Sequence, residues 1–183
     1  MYIGKATTGN AEKGRVEAAM PLVVEALRDT KFLKSAEMQM QETFEYSTHK
    51  QPADWAAGIP GAASLVESAT TNRMWVAAHG TVSAGVDLSK AVVNKSTSGI
   101  TVTIPEAQFE KPNVELSLVN SKRGAFWDDR AISIKAQQVA GERFQLAANK
   151  RDLRGKAMNS AKETLQKLLA GVTTVPVEVK FKA

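Results

Sequence analysis

The chain holds two imidazoles for general acid–base work, His49 and His79, and no cysteine. The missing thiols remove cysteine nucleophiles, thiolate metal ligands and disulfides together. His79 has a carboxylate companion in Asp87, eight residues further along the same alternating stretch. In a straight strand that spacing is roughly 26 Å, so only a sharp bend or a cross-strand partner builds a catalytic pair from either residue. The simpler reading makes His79 a surface residue and lets Asp87 bond backbone N–H groups where the strand ends at Leu88-Ser89-Lys90. His79 and Asp87 stand as the catalytic candidates, with no complete catalytic set assigned.

Other chemistries find less support. A zinc site would need both histidines plus carboxylates, and no His-Glu-x-x-His spacing occurs, so no metal and no cofactor is expected. Asp128-Asp129 beside Arg130 imitates an acid pair, but neighbours at a helix start point in different directions and helix capping explains them. Phe126 and Trp127 read as a hydrophobic staple for that helix. Gly58-Ile59-Pro60-Gly61-Ala62-Ala63-Ser64 imitates a phosphate loop, yet lacks the Gly-Lys-Ser/Thr ending and a preceding strand. No Gly-x-Ser-x-Gly elbow and no dinucleotide fingerprint is present.

The elements that must position these residues are mostly strands. Ala36, Met38, Met40, Phe44 and Tyr46 alternate with Glu37, Gln39, Gln41, Thr43 and Glu45, and Glu42 is the only violation. Met74, Val76, Ala78, Val82, Ala84, Val86 and Leu88 form an apolar face opposite Trp75, His79, Thr81, Ser83 and Asp87, with Gly80 and Gly85 expected to permit a bulge or bend. The same period of two recurs at Ile100–Ile104, Val114–Leu118 and Val175–Phe181. Clean alternation marks a sheet with one face on a core and the other in water. Helical spacing occurs at Val16, Met20, Val23 and Leu27, where Pro21 predicts a break and a helix from Pro21 to about Lys34. Ile132, Ala136, Val139 and Ala140 predict a second helix through about Ala148; Leu153, Ala157, Ala161, Leu165 and Leu168 predict a third, stopped by Gly171. Residues 50–68 read as a long loop, or as one hiding a short helix around Ala53–Ala57. The expectation is one α+β domain over residues 1–183, a single mostly antiparallel sheet with helices packed on one face, a flexible lead-in at 1–12 and a helical cover at 128–170.

At 183 residues the chain can bury a core without staples. Its net charge of +5 attracts anionic surfaces in a salt-dependent way. The densest basic group is Lys150, Arg151, Arg154 and Lys156, but the remaining excess is scattered, which disfavours nucleic acid as partner. No run reaches the roughly 20 apolar residues of a spanning helix.

One stretch is more specific. His79-Gly80-Thr81-Val82-Ser83-Ala84-Gly85-Val86-Asp87-Leu88-Ser89-Lys90, followed by Ile100-Thr101-Val102-Thr103-Ile104-Pro105-Glu106-Ala107, resembles an uncharacterised bacterial domain-of-unknown-function family, the one numbered 4230. The family pattern reads Gly, variable, Val, variable, Ala-Gly-Val-Asp-Leu, then a strand ending in an aliphatic residue, Pro, and Ala two positions on. Ile104 stands where the family often has Leu. The resemblance runs over roughly residues 16–172. It implies a membrane-spanning helix preceding the domain in the parent protein, with this chain as its soluble part. It brings no established activity and hence no catalytic residues.

The preferred expectation is therefore a non-enzymatic, membrane-proximal or cell-envelope interaction domain with an unidentified protein or envelope partner. Its recognition face would carry Trp75, Thr81, Ser83, Thr101, Thr103 and the row from Glu37 to Glu45. One alternative is a hydrolase or transferase using His79 with a carboxylate from a neighbouring strand. Another is an electrostatic binder of anionic lipid or polymer through Lys150, Arg151, Arg154 and Lys156.

Overall fold

The computed structural model describes residues 6–49, 59–96, 99–124 and 128–182. Along the chain come α1 (Ala6–Thr30), β1 (Phe32–Thr48), α2 (Ala62–Thr70), β2 (Asn72–Asp87), a 3-10 turn (Leu88–Lys90), β3 (Val92–Ser96), β4 (Gly99–Ile104), β5 (Gln108–Phe109), β6 (Asn113–Lys122), α3 (Asp129–Lys150), α4 (Leu153–Val172) and β7 (Val177–Phe181). The class is α+β, as the alternation predicts. The strands, however, form two sheets and not one. In the four-stranded antiparallel sheet β2 is central, with β1 on one side and β5 and β6 on the other. In the second sheet β4 lies between antiparallel β3 and parallel β7. Alternation says which face a strand buries but not which strand it joins. The parallel β4–β7 pair also needs a long crossover, here containing α3 and α4, which no local pattern announces.

The chain divides into two compact units: Met1–Glu37 with Ser83–Glu110 and Asn149–Ala183, and Met38–Val82 with Lys111–Ala148. In the first, α1 packs against α4, β3 and β4, and α4 packs against β7. Ala19, Val23 and Leu27 of α1 and Leu153, Ala157, Ala161, Leu165 and Leu169 of α4 are buried, as are Ile100, Val102, Ile104 and Val179 of the sheet. The α4 stripe thus ends at Leu169 where the spacing predicts Leu168, which is 37% exposed. Constant steps of four follow one slanted ridge around the helix, the geometry of an angled crossing. Gly171 does not stop α4, which continues to Val172. It lies outside the left-handed region that would cap a helix.

Pro21 sits inside a continuous α1 that begins at Ala6, so residues 6–12 are helical where loop is expected, and the break expected at Met20 does not occur. The buried steps Ala19, Val23 and Leu27 span the proline, and burial of that stripe offsets the one backbone hydrogen bond it removes. The helix also ends at Thr30 and not at Lys34; Lys31 takes a left-handed φ of 45°, and β1 begins at Phe32. At the far end of β2, Ser83, Ala84, Gly85 and Val86 are all buried, so the wetted face expected there does not extend this far. A Cβ on Gly85 would lie 2.6 Å from the Phe32 ring, so this glycine serves close approach and not a bend.

In the second unit, β1 from Met38, β2 to Val82 and β6 form the sheet, and α3 covers its apolar face. Phe44, Met74, Val76, Ala78, Val82, Val114, Ile132, Ala136, Ala140, Phe144 and Ala148 make the core. The Gln137 amide donates to the Val114 carbonyl at 2.6 Å, tying α3 to β6. Asp128 caps α3 as its position predicts, its Oδ1 accepting from the backbone N–H groups of Arg130 and Ala131 at 3.0 Å each. Glu42, the one breach of the β1 alternation, is answered by Arg143 of α3, whose Nε donates to it at 2.9 Å and whose guanidinium lies 5.0 Å from the Phe44 ring centre. That hydrogen bond, foremost, holds the Arg143 guanidinium above its usual pKa. The bulge lies not at Gly80 but at the step from Trp75 to Val76, where β6 inserts Val119. The short α2 follows Gly61, at φ +83°, so the stretch expected as loop to residue 68 is helical from Ala62. The helix expected around 53–57 and the Phe126-Trp127 staple lie outside the described residues.

Candidate polar groove on the four-stranded sheet

The second unit places His79 in the middle of a groove. Odd-numbered residues of β2 turn away from the core, so Trp75 and His79 share the wetted face and Thr81 lies half-buried beside them. The β2–β6 register sets His79 directly opposite Glu115 and Thr81 opposite Asn113. His79 Nε2 and Glu115 Oε2 are 3.0 Å apart. On the other side of β2, Gln39, Met40 and Gln41 of β1 complete the wall, and the open groove offers about 470 Å³. That volume is within the span of small-ligand sites. Gly80 lets β6 come this close, because a Cβ there would overlap the Asn113 carbonyl and lie 3.0 Å from Val114 Cα.

The groove's chemistry is that of hydrogen bonding. Three side-chain amides, a hydroxyl, an imidazole and one carboxylate line it. The side chains of His79 and Glu115 are 53% and 72% exposed, so water shares in solvating the pair. No group of three or more metal-ligating side chains occurs among the described residues.

The remaining candidates are dispersed. Asp87 is not the partner of His79; it caps the 3-10 turn, accepting from the Ser89 backbone N–H at 3.1 Å and pairing with Lys90 at 3.0 Å. The Ser89 hydroxyl, then Lys90, hold its carboxyl below the usual aspartate range. Ser83 is only 8% exposed and donates to Glu37 Oε2 at 3.4 Å, which removes it from a recognition face. Lys34 chiefly, and Ser83 less, keep the Glu37 carboxyl low. Thr101 and Thr103 are half-buried on β4, in the other sheet and the other unit, so they share no sheet face with Trp75 and Thr81. Lys150, Arg151, Arg154 and Lys156 are all exposed around the α3–α4 turn. Arg154 is engaged, its guanidinium 4.6 Å from the Phe109 ring centre. Asp152, within the same cluster, accepts from the Gly155 backbone N–H at 3.2 Å and places a negative charge among the cations. His49 is exposed just past β1.

Sequence reasoning missed Glu115 and Asn113 as members of a site. The alternation in β6 already shows Glu115 on a polar face. The register that sets it opposite His79 is invisible, because β3, β4 and β5 intervene between β2 and β6.

No curated protein and no solved structure matches the chain. A family model described as "Protein of unknown function (DUF4230)" matches residues 25–179, a span that includes the groove, β1 to β6 and all of α2, α3 and α4. The chain belongs to the DUF4230 family.

Proposed function

We propose that this chain is a binding module whose recognition site is the polar groove between β1, β2 and β6. The observation that carries the reading is the groove's composition: hydrogen-bonding side chains from three strands converge on about 470 Å³, and Thr81 supplies the one hydroxyl among the lining side chains. The His79–Glu115 pair is well exposed, and acid–base catalysis gains most where water is excluded. The module works in a membrane-proximal or cell-envelope setting of a bacterial parent protein, a placement supported by the family resemblance. No helix among the described residues is long and apolar enough to cross a membrane.

A library of small neutral fragments, screened by amide chemical-shift mapping, tests the reading. Hits clustering on Gln39, Gln41, His79, Thr81 and Asn113 support it; hits elsewhere, with these amides unmoved, contradict it.

A second reading keeps one specific observation. His79 lies within hydrogen-bond reach of a cross-strand carboxylate in a concave site, the arrangement a proton-transferring hydrolase or transferase requires. Its test is turnover of chromogenic esters, phosphates and glycosides. Turnover abolished by both His79→Ala and Glu115→Gln would replace the binding reading with the enzymatic one.

A further inference from the structure

The groove's side chains point to a ligand class. We infer that it binds a neutral, polyhydroxylated ligand, a saccharide, laid along β2 towards Trp75. The inference rests on the groove being a recognition site and adds what it recognises.

Gln39, Gln41 and Asn113 each offer an amide that donates through nitrogen and accepts through oxygen. Thr81 adds a hydroxyl with the same double capacity. Such a set matches neighbouring sugar hydroxyls, each of which also donates and accepts. The charge pattern disfavours small anions. No lysine or arginine lines the groove, so a phosphate or sulfate finds no permanent cation there, and it would face the Glu115 carboxylate. An apolar ligand finds little beyond the Met40 side of the wall.

Trp75 supplies the second half of the argument. It lies on the same strand face as His79, four residues away, or about 13 Å along an extended strand. It is 47% exposed although it is among the costliest side chains to leave in water. An exposed indole next to a polar groove offers a flat apolar surface to the C–H face of a sugar ring, while the amides take its hydroxyls.

The test titrates isotope-labelled protein with chitohexaose, cellohexaose, maltohexaose and isomaltohexaose, reading backbone amides and the Trp75 indole. At least one is expected to shift the Gln39, Gln41, Thr81 and Asn113 amides with the Trp75 indole, saturating below about 10 mM. Trp75→Ala and Asn113→Ala, each checked for an unchanged melting temperature, weaken that binding about fivefold. Inorganic phosphate leaves the same signals unmoved. If none of the four saccharides moves the groove while small neutral fragments do, the ligand class is wrong and the recognition site stands. If neither moves it, both fall. Saturation by phosphate, or by a synthetic peptide in place of the sugars, also overturns the saccharide assignment.

Discussion

Gly80→Ala measures how closely β6 must approach β2 to build the groove. The added Cβ would overlap the Asn113 carbonyl oxygen and lie 3.0 Å from Val114 Cα, where ordinary contact begins at 3.4 Å. Both neighbours are backbone, so no side chain can swing aside; the strands must part by about 1 Å or the residue must strain. Overpacking of this kind costs about 1–3 kcal/mol, and a weakened ladder bond beside it about 1 kcal/mol more. A total of about 2–4 kcal/mol lowers the melting temperature of a chain this size by about 4–16 °C. Scanning calorimetry reads it directly. Gly171→Ala provides the opposite sign in the same molecule, since a Cβ there meets nothing within 4 Å. Inside α4 that change gains about 0.5–1 kcal/mol of helix propensity, so melting rises by about 1–4 °C. A Gly80→Ala protein melting within about 2 °C of the parent, or a Gly171→Ala protein destabilised equally, would refute the close approach on which the groove depends.

Three further outcomes follow from separate contacts. The Asp87 carboxyl titrates below its ordinary range, so its contribution is present above the unfolded-state pKa and lost as pH falls through the folded one. Asp87→Asn is therefore less stable than the parent at neutral pH, and the difference closes under strongly acid conditions; a pH-independent difference in melting temperature would contradict this. A double-mutant cycle on Glu42→Gln and Arg143→Met is expected to give a coupling of about 0.5–1 kcal/mol in urea unfolding, and a coupling of zero would detach α3 from β1 in this account. Binding to acidic phospholipid vesicles, if the Lys150–Lys156 cluster mediates it, weakens as salt rises from about 0.1 to 0.5 M and falls further in Lys150→Glu. Binding indifferent to salt would remove that surface from consideration.

Much of the strand framework was legible because burial on one face imposes a period of two. Met74, Val76, Ala78 and Val82 read as core from the sequence and are buried in the structure. The α4 stripe through Leu165 was equally plain. What could not be read was pairing. The alternation of Ile100–Ile104 is the same whether β4 joins β2 or, as it does, β3 and β7. Ser83 shows a related limit: its parity says wetted face, but β2 is covered on both faces there. Local propensity misjudged α1, where a buried stripe across Pro21 outweighs the signal of a break. Within the groove, His79 and Thr81 were visible as polar-face residues. Their meaning depends on Asn113 and Glu115 arriving opposite them, a consequence of register between strands far apart in sequence. Glu42 was visible as an anomaly, and Arg143 explains it only once α3 lies over β1.

The most direct measurement is a crystal structure grown with whichever of the four hexasaccharides shifts the groove amides. The account predicts His79 Nε2 and Glu115 Oε2 within hydrogen-bond distance on the solvent face of β2 and β6, with ligand oxygens bonded to Gln39, Gln41 or Asn113 and a ring seated on Trp75. A groove closed by the protein's own side chains, or sugar bound only at another surface, would contradict it.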